Sequence, residues 1–409
     1  MKEFFKVTDL EEVLDYRSAF PRVTMETVTL PECSARVLAE DFISDVNLPD
    51  FSRATMDGYA VRASSTFGAS EANPAYLNVI GEVTMGRAPD FSIGPGEAAQ
   101  ISTGGMLPDG ADSVVMVEHT ESIDDTTIEA YRSVAPGQNA IEVGEDFRKG
   151  EAILTCGQKL RPQETGLLAA FGRTKVDVYR QPVIGIISTG DEIIPIHEKP
   201  GMAQIRDINT YTLSSLVEKA GGIPVSFGIV RDNFDALYEQ CALALTESDM
   251  VLISGGSSVG ARDYTIEALS SLPDTNILVH GISISPGKPT ILAKAQNKAF
   301  WGMPGHVVSS MVVFTIVVKP FLEHISGLAR QNQIERRFAA TLTRNVSSAQ
   351  GRMEYIRIRL ADKDGTLWAE PILGKSGLIN TMVKADGLIE IGRNTEGLDK
   401  GTKVDVIPF

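Results

Sequence analysis

Residues 249–265, written DMVLISGGSSVGARDYT, hold the densest set of groups suited to chemistry. Positions 249–254 form a short, almost wholly apolar run, the pattern of a strand buried on both faces of a parallel sheet. Gly255 and Gly256 follow at once, then Ser257 and Gly260. Glycines there let the backbone turn sharply and present N–H groups to an oxyanion. Arg262 and Asp263 open the next helical pattern. A cation, a carboxylate and bare amides beyond a strand are the ingredients of a phosphate site with a divalent ion. A tight strand-to-helix turn with solvated charges accounts for the same residues, and a Gly-rich turn alone does not separate the two.

Recurrence separates them. Asp191 and Glu192 follow Thr189-Gly190 after one apolar run, and Asp232 follows Arg231 after another. Ser285-Pro286-Gly287-Lys288-Pro289 and Pro304-Gly305-His306 come after later ones. Like carboxylates gathered on one edge raise one another's pKa unless a cation neutralises them. A Mg²⁺ held by one or two of them, with substrate phosphate, would remove that cost. His306 opens a helix, where it either donates to an anion or serves as a plain helix start.

The elements that must position these residues are strands alternating with amphipathic helices. Strands are expected at 183–188, 223–230, 250–254, 276–282 and 300–303. Helices are expected at 210–220, 234–245, 263–272 and 307–324. This is the pattern of a doubly wound α/β sheet, whose ligands bind beyond the carboxyl ends of the strands. Residues 76–160 read instead as short β-runs between Gly/Pro turns, an all-β lobe. Thr103, with Gly104 and Gly105, offers a hydroxyl and amides to an anion there, though a hairpin turn explains it nearly as well. Asp57, in the loop 47–63, reads as a turn residue by itself. The loop 143–150 gathers Glu145, Asp146 and Arg148, either as a site or as a solvated turn. The last lobe, 335–409, returns to β and reads as a small barrel or sandwich. Its GKSG (374–377) lacks the full P-loop pattern. Near the start, 8–20 reads as a helix with a Thr8/Glu11 capping box, and 30–39 as a second helix.

With 409 residues, 43% hydrophobic and 22% charged, the chain has room for several ordinary globular domains. The net charge of −15 argues against non-specific nucleic-acid binding. An anionic ligand therefore needs local cations set against the global field. Cys33, Cys156 and Cys241 match no metal or redox spacing and read as buried thiols. No apolar run approaches the ~20 residues that span a bilayer, and the start shows no signal-peptide core. The expectation is a cytoplasmic protein with no nucleic-acid or membrane partner.

Taken together and in order, the motifs resemble the molybdopterin molybdenumtransferases, the MoeA and gephyrin C-terminal-domain type. The matching stretches are ARVLAED (35–41), MDGYAV (56–61), TGGMLPDGADSVVM (103–116), GEDFRKG (144–150), STGDEI (188–193), RDN (231–233), SGGSSVGARDY (254–264), PGKP (286–289), GMPG (302–305), GRMEYIR (351–357) and SGLINTM (376–382). The resemblance implies a multi-domain α/β plus β protein. It has an N-terminal dimerising region, 1–180, with a β lobe inserted at about 47–145. An α/β molybdopterin-binding domain follows at 181–328, and a C-terminal β-barrel at 335–409. It implies a homodimer whose cleft lies between the α/β domain of one subunit and the β lobe of the other. The implied reaction inserts molybdenum from molybdate into adenylylated molybdopterin, with Mg²⁺-dependent release of AMP. The implied partners are that pterin, a second copy of the chain and the adenylyltransferase that makes the substrate.

The resemblance also implies roles. Asp191, Glu192, Asp232 and Asp263 surround pyrophosphate and metal, with Asp232 and Asp263 as metal ligands. Gly255, Gly256, Ser257 and Gly260 cradle phosphate or pterin, and Lys288 neutralises charge. Pro304 and His306 line the substrate site. Asp57, Thr103 and Asp146 come from the partner subunit, and Arg352 and Ser376 help to hold molybdate or substrate. The chain departs from the family pattern at Ser52-Arg53-Ala54-Thr55, Ile141, Ser285, His306 and Val307. Three other readings stay open: a tungstate-preferring paralogue, a non-catalytic pterin-binding scaffold, and the preceding adenylylation step.

Overall fold

The computed structural model describes residues 7–255, 264–332 and 336–409. The chain divides into two compact units. One comprises the chain up to Glu40, Cys156–Thr165 and Thr174–Phe409; the other comprises Asp41–Thr155 and Gly166–Arg173.

The first unit is built on a six-stranded sheet. Its order is Ile223–Val230, Val183–Thr189, Met250–Ser254, Lys298–Met303, Ile291–Ala295 and Thr275–His280. The first four strands run parallel, and the last two pair antiparallel. Side-chain alternation divides two cores between the faces. Ile184, Ile186, Met250 and Leu252 pack with Leu213 and Val217 of helix Asn209–Ala220 and with Val308, Val312 and Phe321. Ile187, Val251 and Ile253 pack with Leu237 and Cys241 of helix Phe234–Glu247 and with Leu269 of helix Tyr264–Ser271. Both faces of the inner strands are covered, which is why Val183–Ile187 and Met250–Ile253 are buried almost throughout and why their ends carry the chemistry. Trp301 meets Phe321 edge-on, with ring centroids 4.9 Å apart. This is the doubly wound α/β arrangement expected.

Residues 291–295 were not expected as a strand. ILAKA contains good helix formers and no alternation, and the Gln296-Asn297 turn to the next strand lacks glycine; Gln296 itself adopts φ 53°. The N-terminal helices also differ from expectation. The first spans only Leu10–Asp15 and tightens into a 3₁₀ turn at Tyr16–Ala19. Thr8 does not cap it: its backbone pairs with Gly281 and Ser283. The second is a 3₁₀ turn, Leu30–Glu32, followed by strand Val37–Leu38. There the capping box is Thr29 with Glu32, and Ala35 at φ 64° breaks any helix.

Five strands of the C-terminal lobe close a barrel: Met353–Lys363, Thr366–Pro371, Phe338–Leu342, Lys403–Pro408, Gly387–Ile391, and back to the first. The strict alternation at 354–360 places Ile356 and Ile358 in its core. Val307–Ile325 is long and apolar enough to cross a membrane, contrary to the sequence reading, but 67% of its most apolar window is buried inside the protein. It is the central core helix of the α/β layer, with a π segment at Phe314–Val318.

The second unit carries another six-stranded sheet: Ser113–Met116, Gly58–Val61, Glu97–Ile101, Ala75–Glu82, Thr127–Ala130 and Thr120–Ser122. Small apolar cores lie on its two faces.

Candidate functional site

Beyond the carboxyl ends of the parallel strands opens a cleft of about 880 Å³. Its lining divides by element. The turns after the three parallel strands at the left of the sheet bring Glu192, Arg206, Asp207, Asp232 and Gly255. The loops at 284–289 and 304–309, together with the barrel, bring Lys288, Pro304, His306, Arg352 and Ser376, with no carboxylate among them. The cleft thus has an acidic group and a cationic group of lining residues, contributed by strands at different positions across one sheet.

On the acidic side, Asp232 Oδ1 accepts from Thr189 Oγ1 at 2.6 Å. The Asp232 amide in turn donates to Asp191 Oδ1 at 3.3 Å. Asp191 therefore braces the Asp232 turn rather than lining the cleft. Arg206 is a cation already engaged, its Nε donating to the carbonyls of Ile196 and Glu198. Gly255 sits at φ 112°, and a Cβ there would lie 2.1 Å from the Thr189 carbonyl oxygen, so no other residue fits. Its amide is not free for an anion, however: it donates to the Met303 carbonyl at 3.3 Å. The expected amide cradle therefore does not include Gly255 N–H. Gly256, Ser257, Gly260 and Asp263 lie outside the described residues. The residues flanking them, Gly255 and Tyr264, both line the cleft.

On the cationic side, His306 Nδ1 lies 3.0 Å from Ser376 Oγ. The Val308 amide donates to the Ser376 carbonyl at 3.1 Å, pinning the barrel loop to the start of the helix. Arg352 Nε is buried without a hydrogen-bond partner among the described residues. Lys288 is exposed and makes no ion pair among the described residues. Cationic and polar side chains lining one concavity, with no acid among them, form a site for an anion.

Magnesium takes oxygen ligands, usually one or two carboxylates alongside phosphate oxygens and water. Glu192 and Asp232 are donors of that type. Among the described residues, no group of three His, Cys, Asp or Glu forms a closed cage. That donor set fits a magnesium shared with a phosphate and does not fit a structural metal.

Asp57, Thr103 and Asp146 belong to the second unit. The Thr103 amide and hydroxyl donate to Asp57 Oδ1 at 2.7 and 3.0 Å. These bonds hold the exposed Asp57 carboxyl below its usual range, the backbone bond foremost. Asp146 is exposed, its amide donating to the Leu48 carbonyl.

Sequence reasoning missed the floor of the cleft. Asp207, 6% exposed, accepts from Ser188 Oγ and from the Thr210 amide. Asn209 donates to Ser254 Oγ and to the Gly305 carbonyl. The helix-start pattern D-x-N-T at 207–210 was the available signal.

Residues 8–172 match the MoeA N-terminal region (domains I and II), 185–324 a probable molybdopterin-binding domain and 339–409 the MoeA C-terminal region (domain IV). The chain belongs to the MoeA family. It is 37% identical over 398 residues to a putative molybdopterin biosynthesis protein of Methanocaldococcus jannaschii, covering 93% of this chain and 92% of that one. To the molybdopterin molybdenumtransferase of Haemophilus influenzae it is 33% identical, covering 95% of each. A crystal structure of the molybdopterin biosynthesis MoeA protein from Pyrococcus horikoshii OT3 superposes with a TM-score of 0.85 at 33% identity, over 99% of this chain and all of that one. Within the MoeA frame, the acidic turns, Lys288 and His306 fall in the probable molybdopterin-binding domain, while Arg352 and Ser376 come from the C-terminal region.

Proposed function

We propose that this chain is a molybdopterin molybdenumtransferase that takes adenylylated molybdopterin and molybdate and releases AMP. One observation carries the reading: a single cleft sets an acidic group of residues suited to a magnesium phosphate against a cationic group free of carboxylates. A doubly charged oxyanion and a phosphoanhydride need those two environments side by side. The overall charge of −15 would otherwise repel both.

Asp232 and Glu192, with Asp263, would hold Mg²⁺, which offsets phosphate charge when bound. Thr189 and Asp191 keep the Asp232 carboxylate and its turn in place. Lys288 and Arg352 attract the oxyanion, and Ser376 orients the His306 ring beside it. Cleavage of a phosphoanhydride asks little covalent chemistry of a protein and much positioning and charge stabilisation, which is what these side chains supply. Asp57, Thr103 and Asp146 would serve the cleft of a partner subunit in a homodimer. The pterin would arrive from an adenylyltransferase. Cys33 and Cys241, buried and in no disulfide, fit a reducing compartment such as the cytoplasm.

The test is AMP release from adenylylated molybdopterin with molybdate and Mg²⁺. Turnover that requires both ions supports the assignment. Tight pterin binding with no AMP would instead identify a scaffold, and ATP consumption with unmodified molybdopterin would identify the preceding step.

A further inference from the structure

Asn209 begins the helix Asn209–Ala220 and is 7% exposed. Its Nδ2 donates to Ser254 Oγ at 2.6 Å and to the Gly305 carbonyl at 2.8 Å. A carbonyl only accepts, so the amide nitrogen must face Gly305 and the orientation of the side chain is fixed. Both Nδ2 hydrogens are spent, and Oδ1 is left buried with no partner among the described residues.

The two groups it joins serve different sides of the cleft. Ser254 ends the strand Met250–Ser254 and leads into Gly255, beside the Thr189–Asp232 turn. Gly305 precedes His306, whose ring reaches Ser376 of the barrel. A hydrogen-bonded chain therefore runs from the acidic side to the cationic side: Ser254, Asn209, Gly305-His306, Ser376. Gly305 and Gly255 also approach closely, a Cβ on Gly305 lying 3.6 Å from Gly255 Cα.

We propose that Asn209 is a positioning residue that sets the separation between the adenylate-phosphate side of the cleft and its oxyanion side. This rests on the transferase reading above. Both amide hydrogens are taken by the protein, so in this proposal the nitrogen acts through Ser254 and Gly305 and not on a ligand. It matters only when both sides must act on one substrate, because displacing reacting groups by about 1 Å costs on the order of 100-fold in rate.

Full-length Asn209→Ala and Ser254→Ala are the test proteins, with AMP release as one readout. Calorimetry of AMP alone and of molybdate alone is the other. Both variants are expected to lose at least about tenfold in kcat with KM for adenylylated molybdopterin nearly unchanged. Each single ligand should bind within about twofold of wild type, since neither alone spans the spacer. The double variant should be no slower than Asn209→Ala, as members of one chain are not additive. Unchanged kcat in both variants overturns the inference. So does a loss of AMP or molybdate affinity equal to the loss in kcat, which would make Asn209 a direct contact. Should Asn209→Ala not fold, Ser254→Ala, which keeps the bond to Gly305, decides alone by the same criteria. A wild-type chain that releases no AMP refutes the transferase reading and takes this inference with it.

Discussion

Lys288 and Asp232 stand on opposite sides of the same cleft and should fail in opposite ways. Lys288→Ala removes a free cation from a site without acids. Its expected effect is a rise of about tenfold or more in the molybdate dissociation constant, read by calorimetry, with AMP affinity little changed. Asp232→Asn keeps an acceptor for Thr189 Oγ1 and deletes only the charge. The expected result is normal folding with a fall in kcat of about 100-fold and a higher Mg²⁺ requirement. An Asp232→Asn variant with wild-type turnover would remove the carboxylate from the account. At this scale the sequence was readable where a residue follows an apolar run, because the strand ends open on the cleft. Glu192, Asp232 and Lys288 were found that way. Asp207 and Asn209 were not, since their roles arise from bonds across helix, strand and turn that no spacing announces. Asp191 was expected around pyrophosphate and metal; its Oδ1 accepts from the Asp232 amide, which makes it a brace for that turn.

At the scale of elements, the parallel strands are pinned from below. Arg180 Nη1 and Nη2 donate to both oxygens of Asp249, at 2.7 and 2.5 Å, and the Val183 amide adds a third bond at 2.8 Å. Asp249→Ala strips the half-buried Arg180 guanidinium of its carboxylate and leaves the Val183 amide unpaired at the entry of two adjacent parallel strands. Chemical unfolding should show a loss of about 2–3 kcal/mol. Helix Lys319–Ile325 offers a pH test. Burial pushes the Glu323 carboxyl above its usual range, only partly countered by Lys319 and Lys159. The charged form is thus disfavoured in the folded state, so stability is greatest below the ordinary carboxylate pKa and falls as pH rises through the raised one. Glu323→Gln should raise Tm at pH 8 by about 1–2 °C and make no difference at pH 4. The strand 250–254 was legible to the residue, because two covered faces demand uninterrupted apolar side chains; 223–230, an edge strand that is mostly half-exposed, was legible from its β-branched and aromatic residues instead. The 291–295 strand was not, because Ala and Lys favour helix and only sheet pairing overrides that preference. The N-terminal turns were overread as helices for two local reasons: Thr8 spends its backbone on Gly281 and Ser283 instead of capping the first, and Ala35 at φ 64° ends the second.

At the scale of the whole molecule, order across the chain carried the family assignment, since each motif alone is weak. Charge carried the location of the site: in a chain of net −15, a carboxylate-free group of cations is the exception that needs a ligand. If Asp57 of one subunit serves the cleft of another, mixing an Asp57→Ala variant with a Lys288→Ala variant should restore about a quarter of wild-type activity, from the one intact site of each mixed dimer. No recovery on mixing would place Asp57 with the cleft of its own chain or outside the reaction. The most direct measurement is diffraction from molybdate-soaked crystals at the molybdenum absorption edge. The account predicts one anomalous peak among Lys288, Arg352, His306 and Ser376. A peak on the acidic side at Asp232, or none in the cleft at saturating molybdate, would contradict it.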